Sequence, residues 1–254
     1  MEEEIVMKVN SAIFGVLVGS VVFTGCGSSS YDQSPGEAIF AAAQAHLQNA
    51  VGALQIDSIS GSSSQTAASH TMSTGGAWFA SVDPNGSSVA SPGGFGFAGG
   101  AMVLSGILAP VGAGSWDGGS ATLGFNLMAT PTNSYDLTQA GAYSSITLQM
   151  ATTLPTTGAL IVRFWTDQSV TSGCNGWEYF GVSPGIARTG AVTDVKIGFA
   201  DVPAMPSWTA CPNLTFDATK VRNVRVLLDN SGAAGGNGTF NPFMLSISKV
   251  SLSN

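Results

Sequence analysis

From Trp78 to the end the chain is a succession of short apolar stretches separated by turn residues, and that pattern leaves little room for any fold but an antiparallel one. The stretches are "GAWFASV", "AMVLSGIL", "SATLGFNLMA", "SSITLQMATT", "ALIVRFWTD", "VTDVKIGFADV", "NVRVLLD" and "FMLSISKVSL", with Gly, Pro, Asn or Ser between them. Several alternate with the period of two that places successive side chains on opposite faces of a sheet. In "LIVRFWT", Leu160, Val162, Phe164 and Thr166 share one face, and Ile161, Arg163 and Trp165 share the other. Val195, Ile197 and Phe199 alternate in the same way with Lys196 and Gly198. Trp78 and Phe79, on the first of these strands, lean toward the core. The set predicts an all-β chain folded as a jelly-roll β-sandwich. No regular helix–strand alternation and no sustained repeat competes with it. "GGFGFAGG" reads either as a flexible loop or as a glycine-rich strand; it lacks the strand, loop and helix context of a phosphate site.

The segment before the sandwich reads differently. "SPGEAIFAAAQAHLQNAVGALQ" predicts a helix from Pro35 to Leu54, with Ser34 and Glu37 spaced as a capping box and Pro35 in the first turn. His46 falls on its polar face. "SISGSSSQTAASHTMSTGG" reads as a linker or long loop, with His70 as a solvated side chain. At the start, "MKVNSAIFGVLVGSVVFTGC" has the layout of an export signal: Lys8, an apolar stretch from Ala12 to Phe23, then small residues. That stretch is shorter than the roughly 20 residues a membrane-spanning helix requires. "MEEEIV" is too acidic for the start of a signal, which marks Met7 as the true first residue. Charged residues make up only 9% of the chain, against about 25% in an ordinary soluble domain. The chain has no Lys or Arg cluster, so the electrostatic footprint of a nucleic-acid binder is missing.

"FTGC" resembles the lipobox of bacterial lipoproteins: Thr24, Gly25 and Cys26 match, and Phe23 replaces the commoner leucine. The resemblance implies that Cys26 is acylated, becomes the first mature residue and holds the protein to the lipid bilayer. Each buried methylene of an acyl chain adds about 0.8 kcal/mol of membrane affinity. The protein would then be exported and anchored to a bacterial membrane, the outer membrane first of all, facing the periplasm or the cell surface. The alternatives are an ordinary secretory signal with an incidental cysteine, or an intact anchor. Cys174 and Cys211 remain as an even pair, which an oxidising compartment favours as a disulfide. A bridge closing a loop of that size would stabilise by roughly 3–4 kcal/mol. A metal site and free thiols are the other readings. The organisation expected is a signal peptide over residues 1–25, a tether and helix over 26–55, and the jelly-roll domain over 56–254.

The strand phrases resemble galactose-binding-like jelly rolls, the style of carbohydrate-binding modules and CIA30-like domains of bacterial surface lipoproteins. Trp78, Phe79 and Asp83 match the family's opening; Tyr135, Asp136, Leu137, Tyr143 and Ile146 its middle; Phe243, Leu245, Ile247 and Val250 its closing strand. The likeness runs from about Ile56 to Leu252, and some members also carry a cysteine pair where Cys174 and Cys211 fall. It departs in its acids. The closing acidic pair is Ser248-Lys249 here, and the opening acidic stretch is reduced to Asp57. Those acids often help to hold a structural calcium ion, which takes six to eight oxygen ligands. With so few left, the chain gives no support for calcium, and no other cofactor is implied.

The chain offers little for catalysis. After Cys26 the only glutamates are Glu37 and Glu178, and the two histidines, His46 and His70, have neither triad nor metal-ligand spacing. No side chain is assigned a catalytic role. Aromatics beside polar groups are better supplied: Trp116 with Asp117, Trp165, the cluster Asn175, Trp177, Glu178 and Tyr179 in "SGCNGWEYFG", Arg188, and Trp208 near Cys211. Rigid rings with adjacent polar groups suit ligand recognition, although tryptophans in sandwiches also fill cores. Three functions follow in order of preference: a tethered, non-catalytic module binding carbohydrate or another extracellular polymer; a structural or assembly lipoprotein of the envelope that docks another protein through the Pro35–Leu54 helix; and a polysaccharide hydrolase or lyase using Glu178.

Overall fold

The computed structural model describes residues 53–59, 70–83, 86–90, 94–110, 119–153, 158–171, 180–204, 214–230 and 240–254. All of them lie in the unit Val51–Asn254. The strands, in chain order, are β1 (Leu54–Ser58), β2 (Trp78–Val82), β3 (Ser88–Val89), β4 (Phe95–Ala98), β5 (Ala101–Leu108) and β6 (Ser120–Asn126). They continue with β7 (Ser145–Thr153), β8 (Ala159–Thr166), β9 (Phe180–Val182), β10 (Thr193–Gly198), β11 (Val221–Asp229) and β12 (Asn241–Ser253). A five-residue helix, α1 (Asp167–Thr171), follows β8 directly.

The strands form two antiparallel sheets. One runs β10-β7-β12-β5-β3, with β1 added to β12 and β4 to β5; the other runs β2-β6-β11-β8-β9. From β5 to β8 each successive strand lies in the opposite sheet. That alternation is the winding of a jelly roll, and it brings the two apolar faces together as the core. The eight expected strands are all present. β8 buries every second residue, as its alternation required: Leu160, Val162, Phe164 and Thr166 inward, Ile161, Arg163 and Trp165 outward. Leu104, Leu245 and Ile247 from one sheet and Leu123, Phe125 and Val226 from the other are fully enclosed. Each such side chain contributes about 1.5–3 kcal/mol by leaving water.

β12 carries an irregularity between Ile247 and Lys249 that resets its faces. Strict alternation from Ile247 would turn Lys249 into the core. The extra residue puts Val250 and Leu252 inside instead and leaves Lys249 exposed. The Ser248-Lys249 departure noted in the sequence therefore falls at a bulge.

Three features of the sequence reading change, and one open alternative is resolved. Leu54 is not the end of a helix but the first residue of β1, paired with Leu252; the rest of that expected helix lies outside the described residues. "GGFGFAGG" contributes a strand, β4, paired with β5. Part of the expected linker is folded: Thr71 bridges Ala77, Gly75 bridges Met128, and Met72 is buried. His70 is also not a solvated loop residue. Its Nε2 lies 2.8 Å and 3.0 Å from the two carboxylate oxygens of Asp57, and its ring meets Phe97 edge-on at 4.9 Å.

Asp57 is itself 5% exposed. A β1 irregularity between Gln55 and Asp57 lets both Ile56 and Asp57 be buried. The buried carboxylate accepts a hydrogen bond from Trp78 Nε1 at 2.7 Å as well as from His70. Burying an unpaired charge is costly, so the two donors are what allow an acid here. Asp57 is thus engaged in holding β1, the 70–77 turn and β2 together.

Candidate functional site

Of the side chains singled out in the sequence, Trp165 and Arg188 are described. Cys26, Trp116, Asp117, Cys174, Asn175, Trp177, Glu178, Tyr179, Trp208 and Cys211 lie outside the described residues. Arg188 stands beside the Thr189–Thr153 bridge, at the margin of the seven-stranded sheet. Trp165 belongs to the five-stranded sheet, so the fold does not bring these two together.

What the fold brings to Trp165 is a different set of residues. In the five-stranded sheet, Phe79 on β2 lies opposite Gly124 on β6. Gly124 lies opposite Arg225 on β11, and Arg225 opposite Arg163 on β8. The next row places Asn126, Asn223 and Trp165 side by side. These side chains point away from the core, which receives their strand neighbours Trp78, Phe125, Val224 and Phe164. Phe79, expected to lean inward with Trp78, is on the outer face because adjacent strand residues must face opposite ways.

Arg225 is the centre of this face. Its guanidinium lies 4.7 Å from the Trp165 ring and 5.3 Å from the Phe79 ring. Its Nε donates to Asn223 Oδ1 at 3.0 Å. β2 and β11 are separated by β6, roughly 10 Å at ordinary strand spacing, so the Phe79 ring has to lean across the intervening strand to reach Arg225. Gly124 makes that possible: a Cβ there would come within 2.6 Å of Phe79 Cζ. The result is an aromatic–guanidinium–aromatic strip crossing four strands. Each such cation–π contact is worth about 0.5–2 kcal/mol according to how dry it is.

The surroundings fix the strip in place. β8 ends at Thr166, whose Oγ1 accepts from the Ser169 backbone N–H at 3.3 Å as the chain turns into α1. Arg222 Nε donates to Asp167 Oδ1 at 2.6 Å and ties α1 back to β11. β11 shifts register against β8 between Val221 and Asn223, just before the Asn223–Arg225 pair. The start of β11 is held in turn by the "YDLTQAGAY" loop: Tyr135 and Val221 exchange backbone hydrogen bonds, and Leu137 N–H donates to Ala218.

That loop has an anchor of its own. Asp136 accepts from Thr138 N–H at 2.8 Å, Thr138 Oγ1 at 2.6 Å and Ala140 N–H at 2.9 Å. Burial alone would raise the Asp136 carboxyl; the bonds from Thr138, Ala140 and Gln139 outweigh it and hold it below the ordinary aspartate range. Burial, with the Asp136 and Tyr143 charges beside it, pushes the Tyr135 phenol up.

A donor on this face has no hydrogen-bond partner among the described residues. Trp165 Nε1 is buried and makes no hydrogen bond there. An unmade bond from a buried N–H costs about 1–3 kcal/mol, so this donor is suited to a ligand oxygen. Among the described residues no three His, Cys, Asp or Glu side chains group as a metal site. Among them, too, no helix is long and apolar enough to cross a membrane.

No protein-family model and no curated protein matches the chain. Solved structures similar to it are carbohydrate-binding modules. The family 11 module of the cellulosomal cellulase Lic26A-Cel5E of Clostridium thermocellum shares 11% identity at a TM-score of 0.43, over 80% of this chain and 95% of that one. A family 11 module from Clostridium thermocellum in complex with a β-1,3-1,4-mixed-linked tetrasaccharide gives 11% and 0.43, over 80% and 96%. TmCBM61 in complex with β-1,4-galactotriose gives 11% and 0.30, over 70% and 88%. The jelly-roll assignment rests on the strand order of this chain, and the site on its own residues.

The sequence missed Phe79, Gly124, Asn223 and Arg225 as site residues. A signal existed in the alternation of "WFASV" and "VRNVRVLLD", which sorts Phe79 and Arg225 to one side. Nothing in it said that the two strands share a sheet with β6 between them.

Proposed function

We propose that this domain is a non-catalytic carbohydrate-binding module whose sugar site is the outer face of the five-stranded sheet. The observation that carries the reading is the Phe79–Arg225–Trp165 strip, with the Asn223 and Asn126 amides beside it. A sugar ring offers C–H faces to aromatic rings and hydroxyls to amides, guanidinium groups and an indole N–H. Fixed rings pay little conformational entropy on binding, and the strip is fixed from both sides.

The domain is, in this proposal, exported and held to a bacterial membrane through acylated Cys26, with a Cys174–Cys211 disulfide formed outside the cytoplasm. The tether puts a binding domain within reach of extracellular or envelope polysaccharide. The test is a broad polysaccharide array, followed by affinity electrophoresis of the wild type and Trp165→Ala. Binding by the wild type that drops about tenfold or more in Trp165→Ala supports the site. No binding across plant, algal and bacterial polysaccharides refutes the function, and undiminished binding by Trp165→Ala refutes the site.

A further inference from the structure

The seven-stranded sheet ends on β10, and the far side of that strand pairs with no other strand among the described residues. Phe199 N–H donates to the Ser144 carbonyl, in the same register that sets Ile197 opposite Ile146 and Val195 opposite Leu148. In an antiparallel pair, residues that exchange backbone bonds alternate with residues that do not. Thr193, Val195 and Ile197 therefore turn their backbone groups to β7, and Asp194, Lys196 and Gly198 turn theirs to the open side. A row of outward N–H and C=O groups is a template for another strand, and a lysine on it is a common deterrent. Here the lysine has an acid beside it. Asp194 and Lys196 flank Val195; both are exposed on the outer face of the sheet, while the Val195 side chain is buried. Asp194 accepts from Gln149 Nε2 at 3.1 Å and Lys196 Nζ donates to the Asn254 backbone carbonyl, both at the surface. Val192, just before the strand, is 65% exposed.

We propose that a second copy of this chain pairs with this edge, β10 against β10, antiparallel about a twofold axis at Val195. A twofold makes an interface self-complementary: residue i of one copy faces residue j of the other, and j faces i. Paired residues must also turn the same backbone side to each other, which centres every symmetric register on a residue. Centred on Asp194, two carboxylates oppose; centred on Lys196, two ammonium groups oppose. Centred on Val195, Asp194 of each copy lies opposite Lys196 of the other. Opposite charges across a strand pair are stabilising and like charges are not, so the sequence of this edge selects that register. The backbone groups that such a pair exchanges are the outward ones of Asp194 and Lys196, and the second strand shields Val192. The Phe79–Arg225–Trp165 strip belongs to the other sheet, so the dimer carries two such strips, an arrangement that raises avidity for a repeating polymer. The pairing itself does not depend on the sugar reading.

The test is sedimentation equilibrium of the full chain in density-matched detergent, where the micelle adds no weight and a chain of 25.7 kDa is told from its dimer. Self-association that grows with protein concentration is the expected result. Asp194→Lys sets positive charges opposite each other across the axis, and Lys196→Asp sets negative ones. Each should weaken the dimer about tenfold or more, because the twofold applies every change twice. Both side chains are exposed, so the reversals leave the core untouched. The double variant, Asp194→Lys with Lys196→Asp, should recover the wild-type association. Mixing the two single variants should recover it too, since each then meets its charge complement in the other. A monomer at every concentration overturns the proposal, whether the edge then takes another extended chain or none. A dimer of unchanged strength in both single variants overturns its placement at β10. Weakening in both without recovery in the mixture or the double variant overturns the register centred on Val195.

Discussion

Asp57 is the residue whose replacement tests the architecture most sharply. Its side chain, 4% exposed, is shared between Trp78 Nε1 at 2.7 Å and His70 Nε2 at 2.8 Å. A carboxylate only accepts, so both nitrogens donate. Asp57→Ala leaves the buried Trp78 N–H without its acceptor, about 1–3 kcal/mol. It also frees a histidine whose side chain is 15% exposed and can recover part of its loss from water. Removing one member of a fully buried pair costs about 3–5 kcal/mol, so the partly wetted case comes to about 3 kcal/mol. Asp57→Asn retains one carbonyl oxygen for Trp78 and should cost about 1 kcal/mol, the value of one neutral hydrogen bond. Trp78→Phe keeps the ring against Phe125, 4.9 Å away, and removes only the donor, again about 1 kcal/mol. Urea unfolding with fitted m-values gives all three numbers. The ordering Ala well above Asn, with m unchanged, is the expected result. A loss below about 1 kcal/mol for Asp57→Ala would show that the three segments are held by packing alone and that the triangle is incidental.

Other outcomes follow from local geometry. Gln139 and Ala140 have φ of 47° and 58°, which costs an L-residue about 1–2 kcal/mol, so Ala140→Gly should raise stability by about 0.5 kcal/mol after its extra unfolded-state entropy; chemical denaturation reads this directly. Asp136 has a depressed carboxyl, so its contribution is full above the unfolded aspartate value near 3.9 and is lost as pH falls through the lower folded value. Asp136→Asn should flatten that acid limb, and a limb of unchanged slope would refute the assignment. A Cβ at Gly106 would run into the Ser88 backbone carbonyl, so Gly106→Ala should displace β3 and cost about 1–3 kcal/mol, measured by thermal unfolding. Cys26→Ser should move the protein from the membrane fraction to the soluble fraction, and unaltered membrane retention would sink the acyl tether.

Much of the fold is legible in the chain because strand alternation is a local property. "ALIVRFWT" states which of its residues face the core, and the structure buries those very four. Hydrophobic burial needs only a periodicity, and periodicity survives in one dimension. Where local signals competed, the reading failed for a physical reason. Leu54 and Gln55 continue an amphipathic pattern that suits a helix, but pairing with Leu252 and Ser251 on β12 supplies hydrogen bonds that no local pattern announces. His70 sits among serines and threonines, and only the approach of β1 gives it a buried carboxylate.

The sequence by itself determined that this chain is a β-sandwich, which residues of a regularly alternating strand such as β8 go inside, and that ring-bearing and polar side chains are plentiful while catalytic ones are scarce. It could not choose among its aromatics. The tertiary structure made that choice by strand order: β2, β6, β11 and β8 are neighbours although residues from 78 to 229 separate them along the chain. A site that needs Phe79, Gly124, Arg225 and Trp165 on adjacent strands exists only once those strands are paired. Register, set by backbone hydrogen bonds between segments far apart in sequence, is what converts four unremarkable residues into one surface.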